Sequence, residues 1–150
     1  MAVRVIGSEY LMGPVIVDST ATIVRNSVVR VVSGKVTNVI AGSNENLAVA
    51  IDKYPDADYA GTKTKVEVMR LGEDVEVEIP FTHAGATGAD VLAQTDIGGG
   101  PFRLLATNGG TIELASTTNG VFTPLRLGRG TKIGDKTGFL VGVFGDAFSF

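Results

Sequence analysis

The chain has no cysteine and no tryptophan in 150 residues, and a single histidine, His83. Without cysteine, disulfides and thiolate metal centres are excluded. No long apolar run is present either. The positive mean hydropathy comes from scattered Val, Ile, Leu and Ala, and no span approaches the roughly 20 residues of a bilayer helix. The opening MAVRVIGSEYLMGPV lacks the apolar core of a signal peptide, so a soluble protein that stays in the compartment where it is made is expected. Basic residues form no stripe or cluster, and the net charge is -3, which argues against a nucleic-acid partner. Charged residues are only 19% against 44% hydrophobic, a balance that favours a packed core over disorder.

What is present is glycine, 20 of them, placed between short runs of Val and Ile. The length fits one domain, and the rhythm predicts an all-β fold. Within 65–71, Val66 and Val68 alternate with Lys65, Glu67 and Arg70; within 74–79, Val75, Val77 and Ile79 alternate with Asp74, Glu76 and Glu78. Period two places the apolar side chains of each strand on one face and the charges on the other. The link Leu71-Gly72-Glu73-Asp74 predicts a tight hairpin between them, all five aliphatics facing one core. Ser33-Gly34 predicts a second hairpin, between 28–32 and 35–39. The run 47–51 reads as a strand buried on both sides.

Shorter strands are expected at 14–18 and 22–24, with a single helical turn over 89–94. Strands at 102–106, 111–115 and 121–127 are separated by Asn108-Gly109-Gly110 and Asn119-Gly120, and Asn-Gly between apolar runs is a strong hairpin signal. The last strand is expected over 138–144.

Several residues invite chemistry, and each has a plainer explanation. Asp52, Asp56 and Asp58 lack the spacing and the terminal Glu of a calcium loop, and read as a solvated Pro/Asp/Gly connection. Gly98-Gly99-Gly100 is followed by Pro101 and Phe102 rather than by the Lys and Ser or Thr of a phosphate loop, and reads as a turn. No serine lies in a strand-to-helix elbow, and His83 sits in a Gly/Ala/Thr connection. Glu76 and Glu78 share one strand face, an arrangement open to a pair of catalytic acids. Alternating with Val, they read as a wet face, with cross-strand ion pairs expected among Lys65, Glu67, Arg70, Glu76 and Glu78. No catalytic residue, metal ligand or cofactor is assigned, and the chain is read as a non-enzyme.

The two ends carry more information. Residues 1–13 contain Val3, Val5, Ile6, Tyr10, Leu11 and Met12, too apolar for a solvated tail and too broken for a helix. They make either an edge strand and loop on the same subunit or an extended arm buried on another chain. The C-terminal stretch holds Phe139, Phe144, Phe148 and Phe150, four of the seven Phe. Rings not needed to cover the domain's own open end would form, with the arm, an apolar patch of the kind that favours a symmetric assembly.

The order PVIVDSTATIVRNSVVRVVSGKVTNV, LAVAIDKYPDADYAGTKTKVEVMRLG and ADVLAQTDIG, with a closing Gly-Phe-Leu-Val strand, resembles the capsid decoration proteins of tailed bacteriophages. These are also called cement or head-stabilisation proteins, and thermophilic long-tailed phages have examples. The resemblance covers most of residues 14–144 through generic β features. It implies a small antiparallel β-barrel or β-tulip spanning residues 14–150, an extended N-terminal arm at 1–13, and at most one short helix. It also implies a homotrimer on the outer surface of an icosahedral virion, with the major capsid protein as partner and neither membrane nor nucleic acid bound. Two competing functions stand beside it. One is a ligand- or glycan-binding β-sandwich module, which the lack of Trp disfavours. The other is a hydrolase using His83.

Overall fold

A computed structural model describes residues 3–6, 11–59, 63–83 and 90–145. The fold is all-β, built as two bodies with separate hydrophobic cores. The first is a closed barrel of β2 (Leu11–Val17), β3 (Val28–Val32), β4 (Lys35–Asn38), β5 (Leu47–Ala50) and β6 (Lys65–Arg70), in the order β2-β4-β3-β5-β6. The hairpin between β3 and β4 forms as expected, with Val32 opposite Lys35. Ser33 and Gly34 take φ of 51° and 75°, the doubly left-handed turn whose twist matches its strands.

Five strands enclose a bore narrower than that of an eight-stranded barrel, which side chains just fill. Its fully buried strand residues are no larger than valine: Val17, Val29, Val31, Val36, Ala48, Ala50, Val66 and Val68, with half-buried Met12 packed against them. Ala21 and Ile23 add to this core from the β2–β3 connection. The strand expected at 22–24 reduces to one bridge, in which Ile23 and Tyr54 exchange backbone hydrogen bonds of 2.7 and 2.9 Å.

The second body is a six-stranded sheet containing β1 (Arg4–Val5), β7 (Glu76–Thr82), β8 (Arg103–Leu105), β9 (Thr111–Glu113), β10 (Phe122–Leu127) and β11 (Thr137–Phe144). Strand β7 pairs with β11 along one edge. Its other edge is shared between β1, opposite Val77 and Glu78, and β9, opposite Phe81 and Thr82. A single bridge between Phe102 and Phe122 brings the two outer strands, β8 and β10, together. The enclosed core is aromatic and branched, with Phe81, Phe102, Phe122, Phe144, Leu104, Ile112 and Leu140 among its members. The rings of Phe122 and Phe144 meet edge-on at 5.2 Å, a favoured aromatic geometry.

Strand β5 joins the bodies. It is buried on both faces, as its continuous apolar run predicts: Leu47 and Val49 enter the aromatic core, Ala48 and Ala50 the barrel core. Strand β3 divides in the same way, Val28 to one side and Val29 and Val31 to the other.

Three expectations are corrected. The link at residues 71–74 is not a hairpin, because closing the barrel uses both edges of β6, on β2 and β5. The link is instead a corner between bodies, held by the Val75 N–H on Gly72 O and by an Arg70–Asp74 ion pair of 3.0 Å. Val66 and Val68 therefore face the barrel core, whereas Val75, Val77 and Ile79 face the aromatic one. Asn119-Gly120 is likewise a turn without a hairpin, since β7 and β8 already flank β9, and β10 pairs with β11. Asn108-Gly109-Gly110 does connect a pair, β8 to β9. The helical turn lies at Gln94–Asp96 rather than over 89–94.

Candidate functional site

The residues expected at an interface are distributed unevenly. Val3 and Phe144 belong to the aromatic core, 2% and 0% exposed, so neither offers surface to a partner in this fold. Strand β1 is paired inside the sheet, Val5 packs half-buried against the same core, and Met12 packs against the barrel core. Of the stretch expected to form an arm, these parts are thus built into the body. Hydrogen bonds explain why: Val3 N–H reaches Asn26 O and Ile6 N–H reaches Glu76 O, at 3.0 and 2.8 Å. Ile6 is exposed, and half-buried Phe139 carries the Arg129 guanidinium over its ring at 4.3 Å. Leu11 opens β2 opposite Met69. Tyr10, Phe148 and Phe150 lie outside the described residues.

The two glutamates of β7 are not an exposed pair. Glu76 is half-buried and ion-paired with Arg126. Glu78 is 2% exposed, contrary to its expected place on a wet face, because the Arg4 side chain and Arg129 of the 128–131 turn close over it. Its Oε2 accepts the Arg129 N–H at 3.2 Å, and its Oε1 lies 3.2 Å from Arg129 Nε and 3.5 Å from Arg4 Nη2. Both guanidiniums are more than half exposed, so the cluster neutralises a buried charge rather than presenting a reactive one. In place of the ion pairs expected among Lys65, Glu67, Arg70, Glu76 and Glu78, the two glutamates of β7 take partners 50 or more residues away in sequence.

The connection holding Asp52, Asp56 and Asp58 is internally paired. Lys63 Nζ lies 3.4 Å from Asp52 and 3.9 Å from Asp56, while Asp58 N–H donates to Asp56 Oδ1. Among the described residues, no group of three or more His, Cys, Asp or Glu is placed to hold a metal ion. His83 follows β7 with its N–H on Lys136 O, and its Nδ1 is buried without a hydrogen-bond partner.

Two surface features were not legible in the sequence. One is a row of exposed side chains across the barrel wall: Ile16, Lys35 and Val32 stand opposite one another on β2, β4 and β3. Ile16 is 48% and Val32 44% exposed. The other is a pair of clefts of about 540 Å³ each, at the junction of the two bodies, which share Asn44 and Glu45 as lining. The loop that shapes the first cleft is locally over-determined. Ser43 Oγ accepts the Ile40 N–H, Gly42 N–H binds Leu104 O, and Asn46 O accepts the Val31 N–H. Gly42 has φ of +82°, and a Cβ there would meet the Arg103 guanidinium and the Asn119 amide at 3.4–3.5 Å. Asn46, at φ of 52°, has a buried Oδ1 with no hydrogen-bond partner.

No helix among the described residues is long and apolar enough to cross a membrane. In comparison with known proteins, no family, no curated protein and no solved structure matches this chain.

Proposed function

We propose that this chain is a structural, non-catalytic protein of the capsid-decoration kind, which binds the outside of an icosahedral phage head as a homotrimer and stabilises it. The observation that best supports this reading is the aliphatic row on the barrel wall. Ile16 and Val32 stay nearly half exposed on strands that are paired into a closed barrel. Apolar area held on a rigid wall, with the Lys35 stem between, is suited to protein–protein contact. On this reading the barrel wall contributes contact surface, whereas Val3 and Phe144 are committed to the core. Binding then stabilises the shell by adding buried interface, with no cofactor and no chemistry.

Light scattering on a size-exclusion column, followed by co-sedimentation with undecorated heads, tests the proposal. A mass three times the 15.6 kDa of one chain and saturable binding to heads are expected. Ile16→Asp should leave the melting temperature within a few degrees, as a surface change does, and abolish co-sedimentation. A monomer that ignores the shells removes the reading, as does a hydrolytic activity that His83→Ala destroys.

A further inference from the structure

We propose that Asn108 is a site of spontaneous deamidation, and that the fold shields the matching site at Asn119. The reaction begins when the backbone nitrogen that follows an asparagine attacks its Cγ. A C–N bond forms, the Cγ–Nδ2 bond breaks, and ammonia leaves carrying the proton of that nitrogen. Water then opens the cyclic imide, at one carbonyl to give aspartate or at the other to give isoaspartate.

A following glycine leaves the attacking nitrogen unhindered, and only Asn108 and Asn119 precede one; Asn26, Asn38, Asn44 and Asn46 precede Ser, Val, Glu and Leu. Both sites stand in the same tripeptide, Thr-Asn-Gly, so the local sequence does not separate them. They also share a left-handed backbone, with φ of 54° and 53°.

Their surroundings differ. The Gly120 N–H, the nucleophile in that turn, donates to Thr117 O at 3.0 Å. A Cβ on Gly120 would overlap the Pro101 carbonyl, so the backbone there has no room to swing. The Thr118 N–H is tied to Ser116 Oγ at 3.2 Å, and the Asn119 amide packs beside Gly42. Ring closure at Asn119 therefore requires the 116–120 turn to come apart.

In the turn between β8 and β9 the bonds fall around the reacting peptide rather than on it. The Gly110 N–H and the Thr111 hydroxyl both donate to Thr107 O, at 3.1 and 2.8 Å. Among the described residues, the Gly109 N–H makes no hydrogen bond of normal geometry. An added Cβ at Gly109 would meet Ser27 alone within 4 Å, and Asn108 is exposed, which leaves its side chain room to turn over the next nitrogen. Each event replaces a neutral amide by a carboxylate, and the isoaspartyl product also lengthens the backbone of the turn.

The test is incubation of the folded chain at mildly alkaline pH, followed by peptide mapping with fragmentation that separates aspartate from isoaspartate. Conversion at Asn108 should run at least about fivefold faster than at Asn119, the factor that one additional hydrogen bond to break imposes on a rate. In the urea-unfolded chain the two identical tripeptides should react at nearly equal rates. Asn108→Gly keeps the left-handed backbone and should remove most of the acidic species that ion exchange resolves. Equal rates in the folded chain overturn the proposal, as do faster conversion at Asn119 and acidic species that form in Asn108→Gly as quickly as in wild type. A preference in urea as large as that in the folded chain also overturns it, because the selection then belongs to the sequence and not to the fold.

Discussion

The barrel and the six-stranded sheet solve one problem, burying alternate residues of short strands, with different materials. The barrel core is Val and Ala, with one Ile added by a connection, whereas the sheet core adds four Phe, six Leu and two Ile to its valines. The barrel closes through hairpin-like neighbours, β3 with β4 and β5 with β6, and seals with one short parallel pairing of β2 to β4. The sheet is assembled from distant segments, with β7 receiving β11 on one side and β1 and β9 on the other. A narrow closed bore leaves room only for small side chains, so the barrel tolerates little added volume. A wide sheet folded over aromatic rings depends instead on volume already present.

The most severe way to break that contrast is a charge in the aromatic core. Val77 is fully buried, so Val77→Asp places a carboxylate among apolar side chains and should unfold the domain or cost at least about 5 kcal/mol. The neighbouring Glu76→Val loses only a surface pairing with Arg126 and should change stability by less than about 1 kcal/mol. Thermal melts that reversed these two outcomes would mean that the inward face of β7 has been misassigned.

Phe122→Ala removes a fully buried ring that its partner Phe144 contacts edge-on, and about 3–5 kcal/mol of stability should go with it. Urea denaturation measures this. A loss below about 1 kcal/mol would show that the sheet core collapses as easily as a small one.

In the barrel the informative change is the opposite one. Ala48→Leu adds volume to a bore whose buried strand residues are no larger than valine, and about 1–3 kcal/mol of overpacking strain is expected. If the same denaturation shows stabilisation, the bore holds unfilled space and the contrast between the bodies weakens.

The smallest effect is electrostatic and lies at the barrel rim. Asp18 Oδ1 accepts the Thr20 backbone N–H at 3.0 Å and the Thr20 hydroxyl at 2.9 Å, which holds the carboxyl below its ordinary range. A carboxyl with a lowered folded-state pKa adds stability above its unfolded pKa, and that increment disappears as pH falls through the folded value. Denaturation midpoints of wild type and Asp18→Asn should therefore differ slightly at neutral pH and converge in acid. A gap that widens on acidification would contradict the turn geometry.

Much of the strand layout was legible because period two and Gly-bearing turns are local signals. The Ser33-Gly34 hairpin, the doubly buried β5 and the Gly-Phe-Leu-Val strand all stand where the alternation placed them. The first cleft was not legible, since β3 and the 40–46 loop of the barrel meet Asn119 of the sheet only in the folded chain. The burial of Glu78 was hidden for a related reason: β1 and Arg129 arrive from opposite ends of the chain to cover it.

By itself, then, the sequence determined which residues of each strand share a face, where the chain turns, and that the fold is all-β. Those properties follow from backbone geometry and nearest neighbours. Only the tertiary structure decided which core each face meets. Val66 and Val77 carry the same alternation signal, but the first looks into the barrel and the second into the sheet. The difference lies in edge availability: once β2 and β5 occupy both edges of β6, its successor β7 has to find hydrogen-bond partners elsewhere, and the aromatic core forms where it finds them.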